Sequence, residues 1–233
     1  MPPIREGVIS WYYKVVKMKT YPDKYPFIVD ITSDYVVVDK PAGLVVDSGQ
    51  SDFPSLTSKL ENVLKSRGER ISKWGLHPLH FIDRAVAGLV IYARKKSAFT
   101  ALQAQFTDRT IKKIYRVKTD SPLKTIKGHL IHFHRRSADG KVAQIFDTKV
   151  VNSKRVDLRY RHLENNTYEI QLGSGKYHQI RAQLSHEGSP IVGDTLYNGE
   201  GAPPETIALV FYQLTFKDPK TEVEKTCKSN HQI

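Results

Sequence analysis

Two short segments of the chain carry polar side chains of the types that perform chemistry. Residues 80–88 place Asp83 just before the apolar run 89–93. Residues 176–181 crowd hydrogen-bond donors at the start of a segment whose apolar residues have helical spacing. A carboxylate at the mouth of a buried strand is a frequent catalytic placement, but Asp and Arg are also ordinary loop residues. Spacing alone therefore favours solvated loop and helix-end residues in both segments.

The other candidates for chemistry fail on their spacing. Residues 173–176 look like a phosphate-binding loop, but that motif needs a glycine at the position of Ile170 and Ser or Thr at that of Tyr177. Nine histidines occur, with pairs such as His132 and His134. The sequence has no His-Glu-x-x-His motif and no cysteine pair, so we expect no metal site.

The composition is that of an ordinary globular protein with excess positive charge. The chain has 233 residues, 39% of them hydrophobic, and a formal net charge of +12 at pH 7. Such a charge attracts polyanions, which slightly favours a nucleic-acid partner over a generally basic protein. The only cysteine, Cys227, lies in what reads as a polar tail and cannot pair within the chain. No apolar run reaches the ~20 residues that span a membrane and no signal peptide is evident, so we expect a cytoplasmic protein.

The elements that would position these residues predict an α+β protein. Strands outnumber helices and short turns join neighbouring strands, which predicts a mixed, largely antiparallel β-sheet with flanking helices. No repeat or flexible linker interrupts the chain, so we predict a single domain over residues 1–233. The predicted strands are Val8–Lys17, Tyr35–Asp39, Leu89–Ala93, Ile111–Lys118, Val156–Leu163, Tyr168–Leu172 and Ile207–Phe216, and the predicted helices are Ser55–Arg67, Ser97–Phe106 and Tyr177–Glu187.

Four segments, taken in order, resemble the sequence blocks of the RluA-type RNA pseudouridine synthases, over about residues 27–225. They are Tyr35–Val46, which contains a Lys-Pro-x-Gly turn; His80–Gly88, which is similar to the block His-Arg-Leu-Asp-x-x-Thr-Ser-Gly; the Lys-x-Tyr strand Lys113–Tyr115; and Gly175–Tyr197, which is similar to Gly-Arg-x-His-Gln-Ile-Arg followed by Gly-x-Pro-Ile-x-Gly-Asp. The resemblance implies a catalytic fold with a central active-site cleft. It also implies isomerisation of uridine to pseudouridine in RNA, without cofactor or metal.

The same resemblance implies roles for individual residues. Asp83 would be the catalytic carboxylate, Tyr115 would offer a ring to the uracil and a phenol to the C5 proton, and Arg181 would keep Asp83 ionised and oriented. The substrate-binding residues that it implies are His80, the basic residues Lys40, Arg84, Lys176 and His178, and the amide of Gln179. Phe81 is not part of the family pattern, and we predict that its ring is a solvent-accessible wedge beside Asp83 that stacks on RNA. The alternative for Phe81 is that it packs inside the core, as Phe usually does.

The catalytic block departs from the family pattern at four positions. They are Phe81, Ile82, Val86 and Ala87, where the family has Arg, Leu, Thr and Ser. Asp83 and Gly88 remain in place. A catalytically inactive RNA-binding relative is therefore an alternative to the enzyme.

The expected partner is a structured RNA, either transfer RNA or a ribosomal RNA stem-loop. Only about 26 residues precede the matching region, so we expect no separate N-terminal RNA-binding domain. We also expect the protein to be a monomer. A metal-dependent nuclease that uses Asp39, Asp83 and Asp194 is a third reading, for which the carboxylates lack convincing spacing.

Overall fold

The computed structural model describes residues 27–48, 54–200 and 206–233. Its strands are β1 (Phe27–Ile31), β2 (Tyr35–Lys40), β3 (His77–Pro78), β4 (Ala87–Ala93), β5 (Lys112–Lys118), β6 (Lys127–Arg136), β7 (Ala143–Phe146), β8 (Lys154–Glu164), β9 (Thr167–Leu172), β10 (Leu209–Lys217) and β11 (Glu224–Lys228). Its helices are α1 (Leu56–Ser66), α2 (Lys96–Thr107) and α3 (Gln179–His186). The strand predicted at Val8–Lys17 lies outside the described residues.

The described strands form one sheet, in the spatial order β1-β2-β4-β10-β5-β9-β8-β6-β7, with β11 beside β10 and β3 beside β4. Only the β4–β10 pair is parallel; the other pairs between named strands are antiparallel. Strands β2 and β4 are buried along their whole length, which fits their runs of β-branched and aromatic residues. The predicted fold class is confirmed.

Helix α1 shows why the local sequence folds as it does. The side chain of Ser55 accepts from the Ser58 backbone N–H, and the Ser58 hydroxyl accepts from the Ser55 backbone N–H, which closes a capping box at the helix start. Leu56, Leu60 and Leu64 recur at helical spacing and are buried. Full burial of each such leucine is worth about 1.5–3 kcal/mol, so this face fixes the helix on the core.

The centre of the sheet is a close contact between β4 and β10. Gly88 pairs with Phe211, which pairs in turn with Tyr115 on β5. A Cβ on Gly88 would collide with the backbone of Phe211, and the φ of Gly88 is +120°, so both space and conformation require glycine here. This register brings the loop before β4, which carries Asp83, beside Tyr115.

Three sequence expectations change in the structure. The third helix begins at Gln179, two residues later than predicted, because His178 adopts a left-handed conformation with φ +52°. Strands β1, β3, β6, β7 and β11 have no counterpart in the sequence prediction. Cys227 does not lie in a polar tail: it is on β11 and buried in the core, and burial raises the pKa of its thiol to about 11.

The longest described helix has 12 residues, so none of the described helices could cross a membrane.

Candidate active site

A cleft of about 530 Å³ opens over the central strands. The loop before β4 forms one wall, strand β5 contributes the floor, and residues 172–181, which lead into α3, form the opposite wall. Asp83, Tyr115 and Arg181, which are far apart in sequence, all line it. The structure thus brings together the three residues that sequence reasoning proposed for catalysis.

The carboxylate of Asp83 is held at the edge of the cleft by one cation. Arg181 Nη1 donates to Asp83 Oδ2 at 3.0 Å, and a quarter of the Asp83 side chain remains exposed. His178 Nε2 lies 3.6 Å from the same oxygen. The guanidinium of Arg181 therefore presents Asp83 to the cleft in a fixed orientation.

Arg181 is anchored more strongly to a second carboxylate, that of Asp194. Its Nε and Nη2 donate to Asp194 Oδ2 and Oδ1 at 2.7 and 2.8 Å, a two-bond contact that leaves Nη1 for Asp83. Burial alone would lower the pKa of Arg181, but the hydrogen bonds and charge of Asp194, with those of Asp83, raise it above its ordinary value. The guanidinium therefore stays charged. The sequence analysis did not identify this role of Asp194.

The loop that carries Asp83 is braced from below by the turn after β2. Lys40 Nζ donates to the carbonyls of Pro41, Leu44 and Arg84 at 3.0, 2.7 and 3.3 Å. The Gly43 amide donates to the Arg84 carbonyl at 2.7 Å, and Arg84 Nε returns a hydrogen bond to the Gly43 carbonyl at 3.0 Å.

The assignment of Lys40 as an RNA donor is therefore wrong. Its side chain is fully buried, its ammonium faces backbone carbonyls, and burial lowers its pKa to about 7. Arg84 is exposed, although its Nε is used on the turn.

Tyr115 forms an apolar floor under the cleft. Its ring stacks on that of Phe211, with centroids 4.5 Å apart and planes 13° from parallel. Burial, together with the negative charge of Asp83, raises the pKa of the Tyr115 phenol well above its ordinary value of 10. The hydroxyl therefore stays neutral and able to donate or accept a hydrogen bond at the cleft floor.

The two histidines of the predicted site line the cleft as neutral rings. Burial lowers the pKa of His80 to about 3, with a smaller effect of Lys113 in the same direction. Burial also lowers the pKa of His178 to about 4, against the opposing attraction of Asp83. At neutral pH both rings are therefore uncharged, and a contact of His178 with RNA through a neutral ring N–H stays a prediction.

Gln179 does not present its amide to the cleft, so its prediction as a base-edge donor is wrong. Its Nε2 donates to the Asp157 carbonyl and to Gln183 Oε1 at 3.1 and 3.0 Å, which uses both N–H groups. Its Oε1 accepts from the Ser174 hydroxyl and the Lys176 amide at 2.9 and 3.1 Å. The side chain is 2% exposed and ties the cleft wall to α3 and to β8.

Phe81 and Lys176 lie at the open rim of the cleft. The Phe81 side chain is 66% exposed and lines the cleft, which rules out the alternative that it packs inside the core. Lys176 is exposed on the opposite wall. An aromatic ring and a cation thus face the entrance from two sides.

Two basic cleft residues, Arg109 and Lys113, were missed by sequence reasoning. Lys113 stands two residues before Tyr115 on β5, so the period of a strand places both side chains on the cleft face. That spacing was the available signal. Burial, with the neighbouring charge of Arg109, lowers the pKa of Lys113.

The nuclease reading is wrong for the described residues. Asp39 is buried, and its carboxylate accepts from the Ser229 hydroxyl and the Asn230 amide, away from the cleft. Asp194 is occupied by Arg181. The three carboxylates therefore do not share a site that could hold a metal.

Comparison with solved structures gives the class of fold. Human RNA Pseudouridylate Synthase Domain Containing 4 superposes with a TM-score of 0.72 at 20% identity, over 95% of this chain and 94% of that one. Human RNA Pseudouridylate Synthase Domain Containing 1 superposes with a TM-score of 0.71 at 22% identity, over 91% and 86%. At these identities the likeness establishes a pseudouridine synthase fold.

Sequence comparison gives the family. The profile of the family described as RNA pseudouridylate synthase matches residues 34–186, and the chain belongs to this family. Ribosomal large subunit pseudouridine synthase D of Xylella fastidiosa is 30% identical over 92% of this chain and 66% of its own length. Dual-specificity RNA pseudouridine synthase RluA of Pasteurella multocida is 29% identical over 86% and 90%. The chain spans 55–66% of the length of the first four relatives it matches.

Proposed function

We propose that this protein isomerises uridine to pseudouridine in a structured RNA, with Asp83 as the catalytic carboxylate. The observation that carries the proposal is the Asp83–Arg181 ion pair at 3.0 Å, open to a cleft whose floor is Tyr115. A carboxylate that is ionised, oriented and reachable by substrate is what the reaction needs. Family membership and the position of Asp83 within its sequence block support the same assignment.

The chemistry is an internal rearrangement that leaves the composition of the RNA unchanged. The C1′–N1 bond of uridine breaks, the uracil turns while it is held, a C1′–C5 bond forms, and the proton on C5 moves to N1. Asp83 acts at the sugar, either by attack on C1′ or by taking the 2′ proton, and both routes need the ionised carboxylate. Arg181 fixes the direction of that carboxylate, and its charge is secured by Asp194.

Tyr115 serves the base rather than the sugar. Its ring, stacked on Phe211, is a flat apolar surface on which a detached uracil can rest while it turns. Its neutral phenol can relay the proton that leaves C5. The burial that keeps the phenol neutral is therefore part of its function.

The departures at Val86 and Ala87 do not dismantle the loop. The Val86 amide donates to the Asp83 carbonyl at 3.0 Å, so a backbone hydrogen bond closes the turn without the hydroxyls that the family has there. Both side chains are buried in apolar surroundings. We therefore favour an active enzyme over an inactive RNA-binding relative.

The rim of the cleft fits a polyanion whose target base has left its stack. Arg109, Lys113 and Lys176 supply positive charge around the opening. Phe81 stands exposed beside Asp83 and would stack in the gap that the everted uridine leaves. Several relatives are named for the large ribosomal subunit, so a stem-loop of large-subunit ribosomal RNA is the first substrate to test, with transfer RNA as the second.

The deciding experiment incubates the protein with uridine-labelled RNA in EDTA and analyses the nucleosides. We expect pseudouridine with the wild type, none with Asp83→Asn, and the wild-type amount with Asp139→Asn, an exposed control on the β6–β7 turn. RNA affinity of Asp83→Asn should stay within about tenfold of wild type, because phosphate contacts dominate binding. Intact uridine with the wild type on both RNA classes would support the inactive binding relative. Turnover by Asp83→Asn near the wild-type rate would remove Asp83 from the mechanism.

A further inference from the structure

A buried chain of hydrogen bonds runs from the cleft wall, along α3, to strand β6. Gln179 Nε2 donates to Gln183 Oε1 at 3.0 Å, and Gln183 Nε2 lies 3.0 Å from His132 Nδ1. His132 Nε2 then lies 3.2 Å from Glu187 Oε1. Gln179, Gln183 and His132 are all buried, so water cannot replace a partner that is lost.

The cleft end of this chain fixes the orientation of the first amide. The Lys176 backbone N–H can only donate, and it points at Gln179 Oε1. The Asp157 carbonyl can only accept, and it faces Gln179 Nε2. A rotated Gln179 amide would put donor against donor and acceptor against acceptor. Its remaining N–H must therefore donate to Gln183 Oε1, which turns the Gln183 nitrogen towards His132.

The far end fixes the proton on the imidazole. Gln183 Nε2 can only donate, so His132 Nδ1 must accept from it. The proton of a neutral His132 then resides on Nε2, where the carboxylate of Glu187 accepts it. One assignment of donors and acceptors satisfies every member from Lys176 to Glu187.

We propose that His132, neutral and protonated on Nε2, is a positioning residue that holds the cleft wall at residues 174–176 in place for the RNA. The effect on turnover rests on the proposed function; the effect on the wall does not. A second histidine on the same face of β6 acts nearby: His134 Nε2 donates to the Tyr177 carbonyl at 2.9 Å. Strand β6 thus supports this wall at two points, although it lines no part of the cleft itself.

Protonation of His132 would disrupt this chain of hydrogen bonds. A cationic imidazole has an N–H at Nδ1, which would face the N–H of Gln183 and break the chain at its centre. Burial and the nearby His186 lower the pKa of His132, whereas Glu187 and Asp147 raise it, and the net direction is downward. The neutral ring is thereby kept at physiological pH. Lys124, at 3.3 Å, shares the Glu187 carboxylate.

The same histidine belongs to a possible metal-ligand cluster. The ligand atoms of His132, Asp147 and His186 lie within 4.8 Å of one another, as a metal site would require. A metal would need the lone pair of His132 Nε2, and the polarity of the chain places a proton on that atom. We therefore assign these residues to the hydrogen-bonded chain, with metal binding as an outcome of the test.

The first measurement uses the wild-type protein and no RNA. Long-range ¹⁵N–¹H correlation spectra of histidine-labelled protein at pH 7.5 should show His132 protonated on Nε2 and bare on Nδ1. A spectrum of the opposite tautomer, or a cationic ring, would overturn the proposal. So would one equivalent of tightly bound Zn²⁺ that is lost in His186→Gln.

The second measurement uses matched variants of His132. His132→Asn places an acceptor oxygen where Nδ1 stands and cannot titrate, whereas His132→Leu fills similar space without an acceptor. The control is His162→Asn, at an exposed site on β8. For His132→Leu we expect hydrogen exchange of amides 174–179 to be about threefold to tenfold faster and the KM for RNA to rise by a similar factor, the effect of one hydrogen bond. His132→Asn should restore both.

Two results would count against the positioning role. The first is unchanged exchange at 174–179 in a folded His132→Leu protein, and the second is equal loss in the Asn and Leu variants. If the protein lacks isomerase activity altogether, the exchange and tautomer measurements still test whether the chain of hydrogen bonds exists and holds the cleft wall. The two proposals can therefore fail separately.

Discussion

Among substitutions at the cleft that keep the approximate size of the side chain, Arg181→Met should lower the free energy of unfolding the most. Arg181→Met removes both hydrogen bonds to Asp194, a carboxylate that is 1% exposed and sealed from water. Breaking a buried ion pair by removal of one partner costs about 3–5 kcal/mol, because the other charge stays behind uncompensated. Asp83 also loses its partner, but its side chain is 25% exposed and water can replace the guanidinium.

A double-mutant cycle separates these two carboxylates. Arg181→Met/Asp194→Asn removes the stranded charge, so the double variant should be more stable than Arg181→Met alone, with a coupling energy of about 2 kcal/mol or more. Arg181→Met/Asp83→Asn should recover at most about 1 kcal/mol, as for a partly solvated pair. The resemblance suggested Asp83 as the main partner of Arg181; the geometry assigns the larger energy to Asp194.

Urea denaturation at pH 7.5, with the m-value checked for constancy, gives these energies directly. The expected loss for Arg181→Met corresponds to a fall in Tm of about 6–20 °C for a chain of this size. A loss below about 1 kcal/mol would refute the reasoning, since it would mean that water reaches Asp194. Equal rescue by Asp83→Asn and Asp194→Asn would refute the division between the two partners.

Two further predictions address the rim of the cleft and its brace. Phe81→Ala should leave Tm unchanged and slow turnover on folded RNA by about ten- to a hundredfold, because base–aromatic stacking is worth about 1–3 kcal/mol. The loss should be smaller on an RNA whose target uridine is already unstacked. An equal loss on both RNAs would exclude a stacking role. Burial lowers the pKa of Lys40 from 10.5 to about 7, so the unfolded chain binds more protons between these values and the free energy of unfolding should rise with pH across them. Lys40→Met should remove this pH dependence of the free energy of unfolding, and it should lower kcat because the Asp83 loop is held less firmly. If the free energy of unfolding of the two proteins depended on pH in the same way, the burial of the Lys40 charge would be contradicted.

The fold was predictable where sequence pattern and burial agree. Strands β2 and β4 are buried on both faces, and residues 35–38 and 89–93 within them are continuous apolar runs. Strand β6 was missed because its buried positions are His132 and His134, whereas Ile131 and Phe133 lie on the more exposed face. The usual alternation of apolar inward and polar outward residues is therefore reversed here, and the hydrogen bonds of the two histidines explain their burial.

The sequence predicted which residues gather at the candidate site, but not which groups each side chain contacts. Sequence blocks brought out Asp83, Tyr115 and Arg181, and the fold gathers them. The same blocks suggested Lys40 and Gln179 as RNA contacts, and both are buried. A lysine or glutamine has donors in either setting, and only three-dimensional contacts show whether a carbonyl of the same chain already accepts from them.

The contacts of these residues explain how an irregular loop can hold the proposed catalytic carboxylate. The loop around Asp83 belongs to no helix or strand, and besides the backbone hydrogen bonds of Val86 and Gly43 its position is fixed by side chains from other segments. Lys40 supplies a brace from below, Arg181 orients the carboxylate from the opposite wall, and Asp194 fixes Arg181 in turn. A carboxylate misplaced by about 1 Å loses much of its effect, since catalytic groups must be held within about 0.5 Å of their working positions. Three polar residues of the family blocks, Lys40, Arg181 and Asp194, thus help to position one carboxylate, and their loss should lower kcat without any contact to RNA.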